Sequence, residues 1–209
     1  MTGAVILAAG GSRRFGQPKQ LISFQGETLL RRAINAVRDA DCSPIVVVIG
    51  SDAEKMACEL RYSSVAAVEN KDWQRGIGSS IRCGVQALTC NASGIDAILL
   101  LVCDQPAVDA HVIKQLITLR SKTHKDIVAS KYANTLGVPA LFSRTFFREL
   151  SCLEDCAGAK SIIHQYRARV AEFAFPKGAV DIDTWEEWEK LNRGWASPRT
   201  MAKAIAKRV

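Results

Sequence analysis

The sequence predicts an α/β fold, a mostly parallel central sheet with helices on both faces. Two observations predict it. Short apolar runs of strand length alternate with longer segments whose apolar residues recur at helical spacing. The first run, Ala4 to Ala9, breaks directly into a glycine-rich loop. That places a loop at the carboxyl end of a strand, the edge where sheets of this class bind ligands.

The elements follow in order. Val5–Ala9, Ile45–Ile49, Val65–Val68, Ile98–Cys103 and Ile127–Ser130 read as short buried strands. Between them Thr28–Val37, Ala53–Leu60, Ser79–Leu88 and Ala110–Leu119 carry helical spacing. The second half is less regular: a strand at Val138–Phe142, a helix at Ala159–His164, a strand at Val170–Ala174 and a terminal helix at Asp183–Leu191. We expect one domain over residues 1–192 and a basic tail over 193–209.

Composition narrows the class. At 209 residues, 48% apolar and 23% charged, the chain is that of an ordinary globular domain. Its longest apolar run, Ala97 to Cys103, is short of the ~20 residues that span a bilayer, so no membrane role is expected. Arg13 and Arg14 follow the first apolar run rather than precede it, which argues against a secretory leader. The seven cysteines are odd in number and form no Cys-x-x-Cys, as reduced cytoplasmic thiols would be. Cys152-x-x-x-Cys156 has no second Cys/His pair nearby to complete a metal site, and His111, His124 and His164 are far apart. The tail supplies +5 of the formal charge of +7, so the body is nearly neutral. Nothing in the tail beyond its charge points to nucleic acid.

Three constellations carry chemistry. The first is the loop Leu7-Ala8-Ala9-Gly10-Gly11-Ser12-Arg13-Arg14-Phe15-Gly16-Gln17-Pro18-Lys19. Its glycines let backbone N–H groups approach an anion, and its cations add charge. It is not a Walker A loop, because Gly16 is followed by Gln17-Pro18 rather than Lys-Ser/Thr. It is not a dinucleotide fingerprint, because its glycines fall at 10, 11 and 16 and Pro18 interrupts any helix. The second is Asp104, which leaves the apolar run 99–103 at the ligand edge of the sheet. It reads as a hard oxygen ligand for Mg²⁺ or as an early helix cap, a role Asp109 fills as well. Asp181-Ile182-Asp183-Thr184 offers two more acids, with Asp183 or Thr184 also suited to cap the last helix. The third is the stretch Glu69–Gly84, where the glycine-flanked Ser79-Ser80 offers backbone N–H groups and hydroxyls that can read the polar edge of a base, or where Ser79 simply caps a helix. Arg75, Gly76, Gly78, Ser79 and Ser80 are expected to bind base, ribose or acceptor.

The first loop resembles the signature L-A-A-G-x-S-x-R-x-G-x-x-K of the sugar-phosphate and cofactor nucleotidyltransferases, matching at Leu7, Ala8, Ala9, Gly10, Ser12, Arg14, Gly16 and Lys19. Asn70, Trp73, Gly76, Ser80 and Gly84, with the blocks 137–142 and 158–162, are similar to one branch of the MobA-like NTP transferases: the MocA-like molybdenum cofactor cytidylyltransferases. Ala159 and Ser161 depart from that branch's Gly-Asp-Lys-Gly block. The resemblance runs from Val5 to about Leu191. It implies a Rossmann-like nucleotidyltransferase fold with one antiparallel strand in its second half. It also implies NTP phosphates on residues 7–13 and Lys19, Mg²⁺ on Asp104 and Asp183, and catalytic roles for Arg14, Lys19 and Asp104. The expected reaction transfers CMP from CTP to a phosphorylated pterin, the molybdopterin cofactor, with release of pyrophosphate. GTP or a sugar phosphate is the alternative within the same chemistry. The alternative of another class is a non-catalytic carrier that hands cofactor to a molybdenum hydroxylase apoenzyme.

Overall fold

The run from Ala4 to Leu7 is almost wholly shielded from water, which only a central strand with both faces covered allows. The computed structural model describes residues 1–194 other than Arg13, Tyr62 and Ser93. The expected tail therefore lies, from residue 195 onward, outside the described residues.

Strand β1 (Thr2–Leu7) is followed by a small hairpin, β2 (Ser23–Phe24) and β3 (Glu27–Thr28), and by helix α1 (Leu29–Asp39). Then come β4 (Ile45–Ile49), α2 (Ala53–Leu60), β5 (Ala66–Glu69), α3 (Ile77–Asn91), β6 (Ala97–Val102) and α4 (Ala110–Thr123). The second half holds β7 (Ile127–Tyr132), β8 (Thr135–Ser143), α5 (Phe147–Ser151), α6 (Ala159–Gln165), β9 (Val170–Ala174) and α7 (Trp185–Gly194). The seven-stranded sheet has the order β5-β4-β1-β6-β8-β7-β9. Strand β1 pairs parallel with β4 and β6, and only β8 runs against its neighbours. The α/β class and the single antiparallel strand are as expected.

The direction of β8 is decided at two residues. Ala133 and Asn134 both have positive φ, 45° and 58°, and join Tyr132 to its partner Thr135. Positive φ at both central residues is the geometry of a tight primed turn, which folds β8 back between β7 and β6. The ladder then slips between Ala129 and Ser130, opposite Val138-Pro139. Proline has no N–H to give the ladder there, and the buried Ser130 hydroxyl donates to Pro139 O at 2.7 Å.

Alternation along the strands builds two cores. Ala4, Ile6 and Ala8 face α1, α2 and α4, where Leu30, Val37, Met56, Ile113 and Leu116 close over them. Val5, Leu7 and Ala9 face α3, α5 and α6, against Ile81, Val85, Leu88, Leu150 and Ile163. Helix α3 lies very close to the sheet at Gly84. A Cβ there would run into Val5 and stand 2.7 Å from Val48 Cγ2. A third, smaller cluster joins Phe15, Ile22, Phe24 and Leu29 to Ile182, with Trp188 and Leu191 packed on it. It fastens the segment before α7 onto the first loop and its hairpin.

Sequence reasoning finds every long element among the described residues but misplaces several starts: β1 and β8 by three residues, α3 and α7 by two, and α1, β5 and β6 by one. The first strand begins at Thr2 and ends at Leu7, because Ala8 and Ala9 already belong to the loop, though their backbones still bond to Val48 O and Ser51 N. Helix α3 begins at Ile77 with Gly76 as its cap residue, so Ser79 sits inside the first turn and is not the cap. The hairpin β2–β3 and the five-residue α5 have no periodicity long enough to read.

Two outcomes follow. Gly84→Val wedges a branched side chain between α3 and the sheet and should cost about 1–3 kcal/mol in urea unfolding; an unchanged midpoint would show that α3 can retreat. Ile182→Ala empties a fully buried position and should cost about 2–5 kcal/mol. Because Trp188 packs on the same cluster, its fluorescence should shift to the red in that variant, and an unshifted spectrum would detach α7 from this role.

Candidate active site

The loop after β1 is shaped from below by Gln20. This side chain is 2% exposed, and its Nε2 donates to Ala8 O at 3.0 Å and to Gly10 O at 2.7 Å. A trans peptide points its C=O and the following N–H in opposite directions. The N–H groups of Ala9 and Gly11 therefore face away from Gln20. The Ser12 hydroxyl is committed within the loop: it donates to Gln20 Oε1 at 3.3 Å and accepts the Lys19 N–H at 3.1 Å. Gly16 has φ +75°, and a Cβ on Gly16 or Gly10 would meet nothing within 4 Å. Packing does not demand glycine at position 10; open space over the backbone is what it provides.

Lys19 is the meeting point of the site. Its Nζ lies 2.6 Å from Asp104 Oδ2 and 3.0 Å from Asp183 Oδ1, and Arg14 reaches Asp183 Oδ2 at 2.7 Å. Asp104 is delivered by the end of β6, whose strand-end register with Leu7 is fixed by Leu7↔Val102. Asp183 is delivered by its neighbours. Ile182 is buried in the small cluster and donates its N–H to Asp104 O at 3.0 Å, so the two acids are tied together through the backbone. Burial pulls the Lys19 pKa down, but the charges and hydrogen bonds of Asp104 and Asp183 outweigh it and hold the ammonium above its ordinary value. Burial pushes Asp183 up, yet Lys19 and Arg14 prevail and keep its carboxyl below the usual range.

The capping alternatives for both acids are settled. Asp109 caps α4, accepting the Val112 N–H at 2.9 Å. Thr184 caps α7: its Oγ1 accepts the Glu187 N–H at 3.2 Å, and the Glu187 carboxylate returns to the N–H groups of Asp183 and Thr184. Asp104 and Asp183 are thus left to the site. Asp181, two residues from Asp183 along extended chain, lies on the side of Tyr132, whose hydroxyl burial and the charges of Asp181 and Asp104 push up against a hydrogen bond from Gln105.

The opposite wall is Trp73 and the start of α3. Trp73 is wedged so closely that a Cβ on Gly11 would stand 2.8 Å from its ring and one on Gly50 2.8 Å from its Cβ. Buried Asn70 donates to Ser79 Oγ at 2.9 Å and Ser80 Oγ at 3.0 Å. Ser79 also donates to Gly76 O at 2.7 Å. Gly78 gives its N–H to Asp155 O at 2.8 Å. Arg75 is turned away from the cleft, with Nε 2.7 Å from Asp155 Oδ2, and Arg82 grips the same carboxylate.

Leu7, Ala9, Gly10, Lys19, Gln20, Trp73, Gln74, Gly76, Ile77, Ser80 and Asp104, with Val102 and Cys103, line a cleft of about 420 Å³. Of the residues singled out in the sequence, Ala8 faces the other core, and Gly11, Ser12, Arg75, Gly78 and Ser79 do not line the cleft. Arg14 reaches the site through Asp183, and Arg13 lies outside the described residues. Gln20, Trp73, Gln74 and Ile182 are not among the expected site residues. Trp73 leaves a signal as part of the block Asn70–Gly84, and Ile182 as an apolar residue between two acids, the alternation of extended chain with one face buried.

Chemically, the cleft joins a loop suited to anions with two carboxylates aimed at one cationic point. Two oxygen donors converging in this way fit a hard divalent cation that completes its shell with phosphate oxygens and water. Among the described residues no group of three or more His, Cys, Asp or Glu is arranged to hold a metal by itself. No helix among them is long and apolar enough to cross a membrane.

Comparison with known proteins places the chain among others of the same fold. The chain is 27% identical to the purine catabolism protein PucB of Bacillus subtilis over 202 residues, 90% of this chain and 95% of that one. It is 32% identical to nicotine blue oxidoreductase of Paenarthrobacter nicotinovorans over 114 residues, 54% of this chain; the match spans about half of that relative, 54% of its length. Among solved structures, Rv0371c of Mycobacterium tuberculosis H37Rv superposes with a TM-score of 0.76 at 28% identity, covering 93% of this chain and 98% of that one. Its complex with manganese gives 0.73 at 25% identity, covering 92% and 98%. The MobA-like NTP transferase domain matches residues 4–170, four-fifths of the sequence, and the chain belongs to that nucleotidyltransferase family.

Proposed function

We propose that this chain is a divalent-metal-dependent cytidylyltransferase that moves CMP from CTP onto the phosphate of a molybdopterin cofactor. The observation that carries the reading is the convergence of Lys19, Asp104 and Asp183 at the mouth of the phosphate loop. A protein that only carried cofactor would have no use for two carboxylates meeting on one ammonium. The manganese bound by Rv0371c and the block Asn70–Gly84 support the metal and the branch respectively.

The reaction needs little covalent help from the protein. An oxygen of the acceptor phosphate attacks the α-phosphorus of CTP, forming a new P–O–P bridge. The bond from the α-phosphorus to the β-phosphate oxygen breaks, and pyrophosphate leaves with that electron pair. The protein has to hold two anions in line and neutralise charge as it moves toward the leaving group. The backbone of Ala9 and Gly10, which line the cleft, would seat the β- and γ-phosphates. Lys19 and Arg14 would offset the charge growing on pyrophosphate. Asp104 and Asp183 would hold the metal, with Mg²⁺ as the expected ion, which supplies charge neutralisation at the phosphates. Trp73, Gln74 and Ile77 would form the wall against the base, and Ser80, held by Asn70, its polar floor.

The base assignment is open to a direct test. Cytosine offers acceptors at O2 and N3 and a donor at N4, whereas guanine offers donors at N1 and N2 and an acceptor at O6. Fixed groups cannot satisfy both, and each buried polar group left unpaired costs about 1–3 kcal/mol, roughly 5- to 150-fold. CTP should therefore raise the melting temperature and support pyrophosphate release with a molybdopterin acceptor, and GTP should do so poorly. Equal use of both would end the cytidylyl assignment and leave the family standing. Asp104→Asn should leave the fold intact and lower turnover at saturating Mg²⁺ by about a hundredfold or more, the loss typical of removing one such electrostatic contact. Near-normal turnover would remove Asp104 from the metal site.

A further inference from the structure

We propose that Lys19 is an internal counter-ion that keeps a divalent cation off the Asp104–Asp183 pair until nucleotide phosphates draw it away, so that metal and nucleotide bind as one cooperative unit. The inference rests on the nucleotidyltransferase reading above and goes beyond it, because it concerns the order and coupling of binding.

Three observations carry it. The Lys19 ammonium, 2.6 Å from one carboxylate and 3.0 Å from the other, sits at the point that a cation shared by the two acids would take. A metal ion and this ammonium compete for the same oxygens and repel each other. Second, the lysine is held in place. Its side chain is only 14% exposed, its N–H is bound to Ser12 Oγ, and its neighbour Gln20 is locked beneath the loop. Leaving the carboxylates for water would cost it two short ion pairs with nothing in exchange. Third, two carboxylates are a thin donor set, and among the described residues no third His, Cys, Asp or Glu completes it. A hard cation there depends on oxygens from elsewhere.

Charge counting gives the sign. Asp104 and Asp183 carry two negative charges, and Lys19 and Arg14 carry two positive ones, so the cluster is close to neutral and attracts a free cation weakly. A triphosphate seated on the loop offers Lys19 and Arg14 new partners. Their departure leaves two unneutralised carboxylates beside phosphate oxygens, which is a strong site for a divalent ion. By linkage, the factor by which nucleotide tightens the metal is the factor by which the metal tightens nucleotide.

The test reads metal binding without turnover. Free Mn²⁺ is titrated by electron paramagnetic resonance against the full chain, with no nucleotide present, for the wild type and for Lys19→Met and Lys19→Gln. Both variants should bind Mn²⁺ about tenfold tighter than the wild type, within the 5- to 150-fold span usual for site coupling. The further tightening produced by CTP should be correspondingly smaller in them. The glutamine variant keeps a polar head in the loop and serves if the methionine variant fails a thermal-melt check of its fold. Unchanged or weaker Mn²⁺ binding in the folded variants overturns the proposal. Pyrophosphate release by the wild type, measured separately, tests the parent reading: activity with unaltered Mn²⁺ affinity removes this inference alone.

Discussion

The ion pairs on Lys19 are the constraint on which the site depends. They join three parts of the chain that are far apart in sequence: Asp104 lies 85 residues from Lys19 and Asp183 lies 164. Partly burying three charges is costly unless they meet at short distance and find further hydrogen bonds. The fold meets that condition by bringing the β1 loop, the end of β6 and the segment before α7 to one edge of the sheet. Each arrives by a different device: Lys19 through a loop closed over Gln20, Asp104 through strand pairing, and Asp183 through the burial of Ile182. The ammonium held above its ordinary pKa and the carboxyl held below its own show that attraction exceeds desolvation here.

The opposite wall depends on a different kind of constraint, close packing around one large ring. Trp73 fills the space that Gly11 and Gly50 leave, and so locks the loop after β1 to the loop after β4. Asn70 then carries that alignment to α3 by holding two serine hydroxyls at once. The result is a rigid polar floor built from side chains already satisfied by one another. Such preorganisation lets a ligand bind without first ordering the protein.

Much of this was legible in the sequence, for reasons of range. Strand and helix positions follow from periodicity within a dozen residues, and the Leu7–Lys19 loop follows from local glycine and charge. What could not be read depends on partners far along the chain. Arg75 looks available for phosphate or base until its pairing with Asp155, 80 residues on, turns it away. Ser79 looks like a helix cap until Gly76 takes that place and Asn70 takes its hydroxyl. Gln20 carries no pattern that marks it as the support of the loop. The strand order is similarly hidden: the antiparallel strand is expected only from the resemblance, and the turn that reverses it rests on the positive φ of Ala133 and Asn134.

The late position of Asp183 has a consequence for how the protein is made. Chains emerge from the ribosome N-terminus first, and domains begin to fold as they emerge. The last strand among the described residues ends at Ala174, so these strands are all synthesised before the second carboxylate exists. A nascent chain at that stage holds the loop after β1, Lys19 and Asp104 but not the second carboxylate that pairs with Lys19. Translation thus makes these strands before the second carboxylate, and the burial of Ile182 is what brings that carboxylate to Lys19.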